Sequence, residues 1–393
     1  MSMSKPVFVF VFSDCIGGVA SFNRNLINHT SLGDQCRIKV ILLKSEEDKR
    51  SPFTDEMRAE QVIRFSYSTM ENQFHVLRRL NKNLGDEPGC IITDNAIVLN
   101  AVQLSGKKKH IVYLVHDYFY INWALQYSNI IDAAIAHAAF FRDILLAAAV
   151  KDYQHKAFYI PYGVDLPDSN WVKPTAGEKL KLIFLGRLVE EKGVLLLKKI
   201  HELIQAEGVK VEWTIMGMGP LQEALKQQWR DSHAVCFVQA RDGNEVYRKL
   251  EEHDVLVFPS EFEGTPVSIM EALSRGVVPV VSDLPGGTRD MVTHEVGYRC
   301  TTTDPAGYAK AVISLSNSRQ HLRNLQEQCL FSARQKYNIN QAADAYFNFL
   351  LQQAKQPLTQ KNGTRVHLSR LDSPLLPNSF VRALRKTRQK IGW

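Results

Sequence analysis

The six cysteines of this 393-residue chain, Cys15, Cys36, Cys90, Cys236, Cys300 and Cys329, are scattered, and no two form a C-x-x-C pair. With no secretory leader ahead of them, that spacing suggests neither a disulfide framework nor a zinc cluster, and a reducing, cytoplasmic setting is expected. Long apolar runs are missing too: the most apolar window, residues 130–150, is broken by Asp132, His137, Arg142 and Asp143, which argues against a membrane-spanning helix. No Asp-x-Asp occurs, so the sequence shows no paired acids to bridge a metal to a diphosphate. No Gly-Lys-Ser/Thr follows the glycines at 17 and 18, which excludes a Walker loop. No G-x-G-x-x-G follows the first apolar run, and "GMGPLQ" at 217–222 lacks the third glycine, which weighs against a dinucleotide-dependent oxidoreductase.

What is present is ordinary globular composition, 45% hydrophobic and 23% charged, in a chain long enough for roughly two domains. The net charge of +7 is concentrated at the end: residues 356–393 carry eight Lys and Arg against Asp372 alone, leaving a balanced body. A balanced body offers no basic stripe for nucleic acid. "PVFVFVFSD" is a buried-strand run followed by a glycine turn and a helical stretch, and the pattern recurs through "RIKVILL", "CIITD", "HIVYLVHD" and "AAIAH", with helices expected over 69–84 and 138–149. A second series starts at "KLKLIFLGR" and continues through "VEWTIMG", "AVCFV", "DVLVFPS" and "GVVPVVSD". Its first helix is expected to bury Leu196, Ile200, Leu203 and Ile204, with Gly208 as its stop. Alternation of this kind implies an α/β fold of two doubly wound parallel-sheet domains, 1–163 and 179–338, joined by a Pro- and Gly-rich linker at 164–178. Such sheets bind ligands beyond the carboxyl ends of their strands, here in a cleft between the domains.

Four features fall at those strand ends. Gly17 and Gly18 open a helix, either as a plain tight turn or as a place where backbone amides approach a phosphate. His116 and Asp117 end a buried strand, where the imidazole is structural or donates to a ligand oxygen. Arg187 and Lys192 in "GRLVEEKG" suit a diphosphate, unless Glu190 and Glu191 simply balance them. In "EFEGTPVSIMEALSRG", Thr265 reads as an N-cap, Pro266 as the first helical residue and Gly276 as the stop. Amides at Gly264, Thr265, Pro266 and Val267 would then face an anion, while Glu263 in the loop and Glu271 about two turns into the helix accept from hydroxyls on either side. A ligand with hydroxyls flanking a diphosphate is a nucleotide sugar.

The combination resembles the GT-B glycosyltransferases, and within them the retaining enzymes of family 4. The resemblance is carried by "IGGVA", "VHD", "IPYGVD", "FLGRLVEEKG", "IMGMGP" and "FPSEFEGTPVSIMEALSRGVVPVVSDLPGG", in order over about the first 350 residues. It implies that Glu263 and Glu271 are the two acids of the Glu-x7-Glu motif, near the donor sugar and on the ribose. It further implies that Arg187 and Lys192 neutralise the donor diphosphate, that Gly17 and Gly18 close over phosphate and acceptor, and that His116 meets the transferred sugar. Tyr162, where Asn is usual, and His137, where Ser often stands, depart from the pattern. The resemblance implies retention without a metal or other cofactor, and a helix around 339–354 crossing back to the first domain. A nucleotide-sugar epimerase on the same architecture is the rival reading.

The tail "SFVRALRKTRQKIGW" reads as a basic amphipathic helix, with Phe380, Leu384, Thr387 and Ile391 on one face and Arg382, Arg385, Lys386 and Lys390 opposite, Arg388 adding a fifth cation. It is expected to lie on anionic lipid, to remain a disordered solubilising tail, or to dock as a strap on the first domain. The lipid reading implies a lipid-linked saccharide acceptor and a place on the cytoplasmic face of the inner membrane. "NGT" at 362–364 would matter as a glycosylation acceptor only in a secretory protein.

Overall fold

The computed structural model describes residues 4–15, 17–106, 108–148, 153–240, 243–358 and 368–391, the side chains of 389–391 excepted. It divides into two compact units, the first comprising residues 1–137, 141–160 and 340–393 and the second 138–140 and 161–339.

The first unit is built on seven parallel strands: β1 (Val7–Ser13), β2 (Arg37–Ser45), β3 (Gln61–Tyr67), β4 (Gly89–Thr93), β5 (His110–Val115), β6 (Ala133–Ala136) and β7 (Ala157–Tyr159). Their spatial order is β3-β2-β1-β4-β5-β6-β7. Every residue of Val7–Phe12 is at most 5% exposed, as a strand covered on both faces requires. The intervening helices are α1 (Gly18–His29), α2 (Gln73–Leu84), α3 (Ala96–Ser105), α4 (Tyr118–Gln126) and α5 (Ala139–Ala147). Three of them start where the sequence supplies a capping oxygen: Asn72, Asn95 and Asp117 accept from the amides of Phe74, Ile97 and Phe119. β3 and β7 escape a reading based on apolar runs, because both are edge strands. β3 leaves Val62 exposed, and β7 is only three residues long.

The second unit has six parallel strands, β8 (Leu180–Leu185), β9 (Val211–Met216), β10 (Val235–Val238), β11 (Val255–Phe258), β12 (Val278–Ser282) and β13 (Tyr298–Cys300), in the order β10-β9-β8-β11-β12-β13. Its helices are α6 (Leu196–Ala206), α7 (Gln222–Gln228), α8 (Gly243–Glu251), α9 (Val267–Ser274), α10 (Gly287–Met291), α11 (Pro305–Asn317) and α12 (Arg319–Lys336). The expected α/β architecture of two doubly wound sheets is observed. On α6 the buried face is Leu197, Ile200, His201 and Ile204 rather than one containing Leu196 and Leu203. His201 takes a core place because its Nδ1 accepts from the Trp213 indole at 3.2 Å.

Helix α13 (Ile339–Ala354) packs on the first sheet. Phe347 lies 6.0 Å from the rings of both Phe8 and Phe10, and Leu350 presents its carbonyl to the Cys90 thiol. A last helix, α14 (Asn378–Ile391), follows a short turn at Arg370–Asp372 and belongs to the first unit. "NGT" at 362–364 lies outside the described residues. Among the described residues no helix is long and apolar enough to cross a membrane.

Candidate functional site

In a sheet ordered β10-β9-β8-β11-β12-β13, the connections from β8 and β11 leave in opposite directions, and it is beyond the ends of two such strands that folds of this kind bind ligands. Both charged motifs of the second unit lie there. Arg187 and Lys192 sit in the loop after β8, and Glu263 sits in the loop after β11. The loops are stitched together: Glu261 N–H donates to the Glu191 carbonyl at 2.8 Å, and Ser260 Oγ donates to the same carbonyl at 3.1 Å. Gly193 permits the close approach, since its φ is +64° and a Cβ there would collide with the Pro259 carbonyl.

Within this frame Lys192 Nζ donates to Glu263 Oε1 at 2.7 Å, with side-chain exposures of 15% and 8%. The partner of Lys192 is therefore Glu263, not the neighbouring Glu190 or Glu191. Arg187 is bonded to Glu191 at 2.5 Å, but it is 68% exposed and so able to swing to another anion.

Helix α9 begins one residue later than its sequence suggests. Pro266 is the N-cap, with extended ψ of 101° and no side-chain cap, and Val267 is the first helical residue. Thr265 is thus displaced from the capping place, and Pro266 itself carries no amide hydrogen, so the donors around this start are the amides of Gly264, Thr265, Val267 and Ser268. The turn is fixed from β12's side, where Gly287 N–H donates to the Gly264 carbonyl at 3.0 Å. A Cβ on Gly287 would stand 2.7 Å from that carbonyl oxygen.

Glu271 lies just over one turn into α9 and is half-buried, not the exposed acid of a surface helix. Burial raises its carboxyl to about 7, against the lowering pull of Arg275 one turn on. Arg275 is a residue the sequence reading passed over. It is 4% exposed, donates to Glu251 Oε1 at 3.1 Å and to the Asp165 carbonyl at 2.7 Å, and lies over the Tyr247 ring at 4.2 Å. Its i, i+4 spacing from Glu271 is the signal that could have found it.

In the first unit the equivalent switch lies between β1 and β4. Gly17 and Gly18 stand at the start of α1, just beyond β1. Neither has a φ that demands glycine, and a Cβ on either would meet nothing within 4 Å. Among the described residues nothing requires a glycine at either place. His116, just beyond β5, is buried, and its ring is stacked on His137 at 4.8 Å and faced edge-on by Tyr120 at 5.0 Å. Burial lowers its imidazole to about 3, so it is neutral at ordinary pH. Its Nε2 lies 3.7 Å from Asp94 Oδ2. Asp94 follows β4 directly, at the switch point itself, as His116 follows β5, and the same rule of first polar residue after a buried strand identifies it. Burial raises the Asp94 carboxyl to about 7, with Tyr120 and a backbone amide pulling the other way. Its Oδ1 is buried with no hydrogen-bond partner among the described residues.

The tail does not present all its cations outward. Arg382 pairs with Glu46, and Arg385 donates to Asp372 Oδ1 at 2.8 Å and to the Thr69 carbonyl at 3.1 Å. Lys386 and Arg388 are exposed, and the side chain of Lys390 lies outside the described residues. Among the described residues no cluster of three or more His, Cys, Asp or Glu is placed to hold a metal ion.

Residues 167–330 match the sequence model of the family described as glycosyl transferases group 1. The chain is 30% identical over 149 residues to the amylovoran biosynthesis glycosyltransferase AmsK of Erwinia amylovora, a stretch that covers 35% of this chain and 36% of that protein. The match thus spans about a third of this curated relative's length. Among solved structures, sucrose-phosphate synthase from Thermosynechococcus elongatus aligns with a TM-score of 0.70 at 16% identity, covering 88% of this chain and 98% of that one. HepE of Anabaena, solved with UDP and glucose, aligns at 0.68 and 15% identity, covering 88% and 100%. These likenesses establish the fold as GT-B, two Rossmann-like parallel-sheet domains.

Proposed function

We propose that this chain is a retaining, metal-independent glycosyltransferase of family 4 that moves a hexose from a nucleotide-diphosphate sugar to a saccharide or lipid-linked acceptor, in the assembly of cell-surface polysaccharide or lipopolysaccharide. The observation that carries the reading is the Lys192–Glu263 pair beside the start of α9, at the switch point between β8 and β11. A diphosphate there would meet Arg187, Lys192 and the amides that begin α9, while Glu263 and Glu271 accept from hydroxyls of the sugar and ribose. As the bond from the sugar's anomeric carbon to the diphosphate oxygen breaks, negative charge grows on the diphosphate, and those donors stabilise it. The acceptor oxygen attacks the face the diphosphate leaves, and its proton passes to the departing phosphate oxygen. His116, packed edge-on against Tyr120 with Asp94 beside it, is the first unit's group for contacting the transferred sugar, and Gly17 and Gly18 leave room for a phosphate or acceptor. The names of the relatives support transfer to a polysaccharide over epimerisation. A lipid-linked acceptor would be met at the cytoplasmic face of a membrane, through the C-terminal helix.

The test is incubation with UDP-, GDP- and ADP-sugars in the presence of a chelator, with thermal shift reporting donor binding and label transfer to saccharide acceptors reporting turnover. We expect one nucleotide sugar to raise Tm and its label to reach an acceptor with unchanged anomeric configuration. Conversion of the sugar without an acceptor would favour the epimerase, and inversion at the anomeric carbon would overturn retention.

A further inference from the structure

Helix α14 is held on the first unit by one face only. Val381 is fully buried, Asn378 Nδ2 donates to Glu71 Oε1 at 2.8 Å, and Asn378 Oδ1 accepts from Asn72 N–H at 2.7 Å. Arg385 spans from Asp372 to the Thr69 carbonyl, and Asp372 in turn accepts from the Gln73 amide at 2.7 Å. The segment before α14 is tied to the same place, with the Leu376 carbonyl bonded to Asn72 Nδ2 and to His75. At about 100° per residue, Asn378, Val381 and Arg385 fall on one side of the helix. Ala383, Thr387, Phe380 and Leu384 fall on the opposite side, and all four are exposed. Phe380 is 51% and Leu384 37% exposed. Lys386 borders that strip on one edge and Arg388 on the other; both are exposed and pair with no acid among the described residues.

An apolar strip with a cation along each edge, on a helix glued down by its far side, is the layout of a helix lying in a lipid interface. The cations commit it to an anionic surface. The docking also fixes orientation. Arg382 grips Glu46, directly after β2, and Arg385 reaches the Thr69 carbonyl, shortly after β3. Helix α14 therefore rides at the carboxyl end of the first sheet, the end that carries Gly17, Asp94 and His116.

We infer that the outward face of α14, Phe380, Leu384, Lys386 and Arg388, is a docking surface for an anionic phospholipid bilayer and sets the carboxyl end of the first sheet toward it. This deepens the acceptor part of the proposed function, but it is read by binding alone, so either can fail without the other.

The full-length chain is mixed with vesicles of phosphatidylcholine, with or without phosphatidylglycerol, and sedimented. Binding is expected only with the anionic lipid. The double variant Lys386→Glu with Arg388→Glu should lower partitioning about tenfold. Phe380→Ser with Leu384→Ser should abolish the binding that survives high salt. Lys310→Glu, on the exposed surface of the second unit, should change nothing. All substituted side chains face solvent, and an unchanged melting curve confirms the fold. Equal binding to neutral vesicles, unchanged binding of both double variants, an equal loss in Lys310→Glu, or retention on polyphosphate without retention on vesicles would each overturn the inference.

Discussion

Removing the charge of Lys192 while leaving Glu263 in place should reveal how tightly the two loops at the end of the second sheet depend on one ion pair. The two groups lie 2.7 Å apart and are 15% and 8% exposed, so water screens them little. Their attraction, at the effective dielectric of such sites, is about 6 kcal/mol before the cost of burying both charges. Most of that cancels against desolvation, but deleting one partner strands the other, and Lys192→Met is expected to cost about 3 kcal/mol. Glu263→Gln keeps an acceptor for the ammonium and should cost about 2 kcal/mol. In the double variant neither charge is stranded, so its cost should be about 3 kcal/mol, a coupling of about 2 kcal/mol. Urea unfolding followed by tryptophan fluorescence reads this directly, because Trp213 and Trp229 are buried in the second unit. The same proteins titrated with UDP calorimetrically should show affinity reduced about tenfold in Lys192→Met, as one phosphate contact is lost. Additive single effects, within about 0.5 kcal/mol, would refute the coupling. Undiminished UDP affinity would refute a place for Lys192 at the diphosphate.

Arg187→Ala and Glu271→Gln should each lower transfer at least about tenfold with little loss of stability, since Arg187 is largely exposed and Gln preserves the shape of Glu271; rates like wild type in both would end the assigned roles. Gly193→Ala should destabilise the second unit by about 3 kcal/mol in urea, because φ of +64° and the Pro259 carbonyl both oppose a Cβ. The Asp94 carboxyl is raised by burial to about 7 in the folded chain, so the native state keeps a proton that the unfolded chain loses at lower pH. Stability should therefore fall as pH climbs from the ordinary carboxylate range to about 7, while buried His116, lowered to about 3, acts in the opposite sense below its unfolded value. Relative to wild type, Asp94→Asn should gain about 3 kcal/mol between pH ~5 and pH ~8, and parallel pH profiles of the two proteins would refute that placement. Arg385→Ala should loosen α14 and speed proteolysis near residue 378; unchanged cleavage would mean the helix is held without it.

Most strands were legible because a parallel strand covered on both faces needs an unbroken apolar run, as in "VFVFVF" and "VLVF". The edge strands β3, β7 and β13 were not, since one side of an edge strand lacks a partner and the run is shorter or more polar. The charged residues at strand ends could be named from order alone, because the chain leaves each strand at the end where such folds gather ligands. Their partners could not. Lys192 has two acids within two residues in sequence, yet it bonds to one 71 positions away. Asp94 and Arg275 carried weaker signals, and only their burial and contacts gave them weight.

Sequence by itself determined the alternation of strand and helix, the two-domain count, and which loops bear the glycines, cations and acids, because these follow from local periodicity and from which side chains tolerate a turn. Tertiary structure alone decided which cations pair with which acids. It joined Lys192 to Glu263 by packing two loops around Gly193, and it tied Arg382 and Arg385 to the first unit, leaving Lys386 and Arg388 exposed. Ion pairing depends on distances of a few ångströms between segments far apart in the chain, and linear spacing holds no record of those distances.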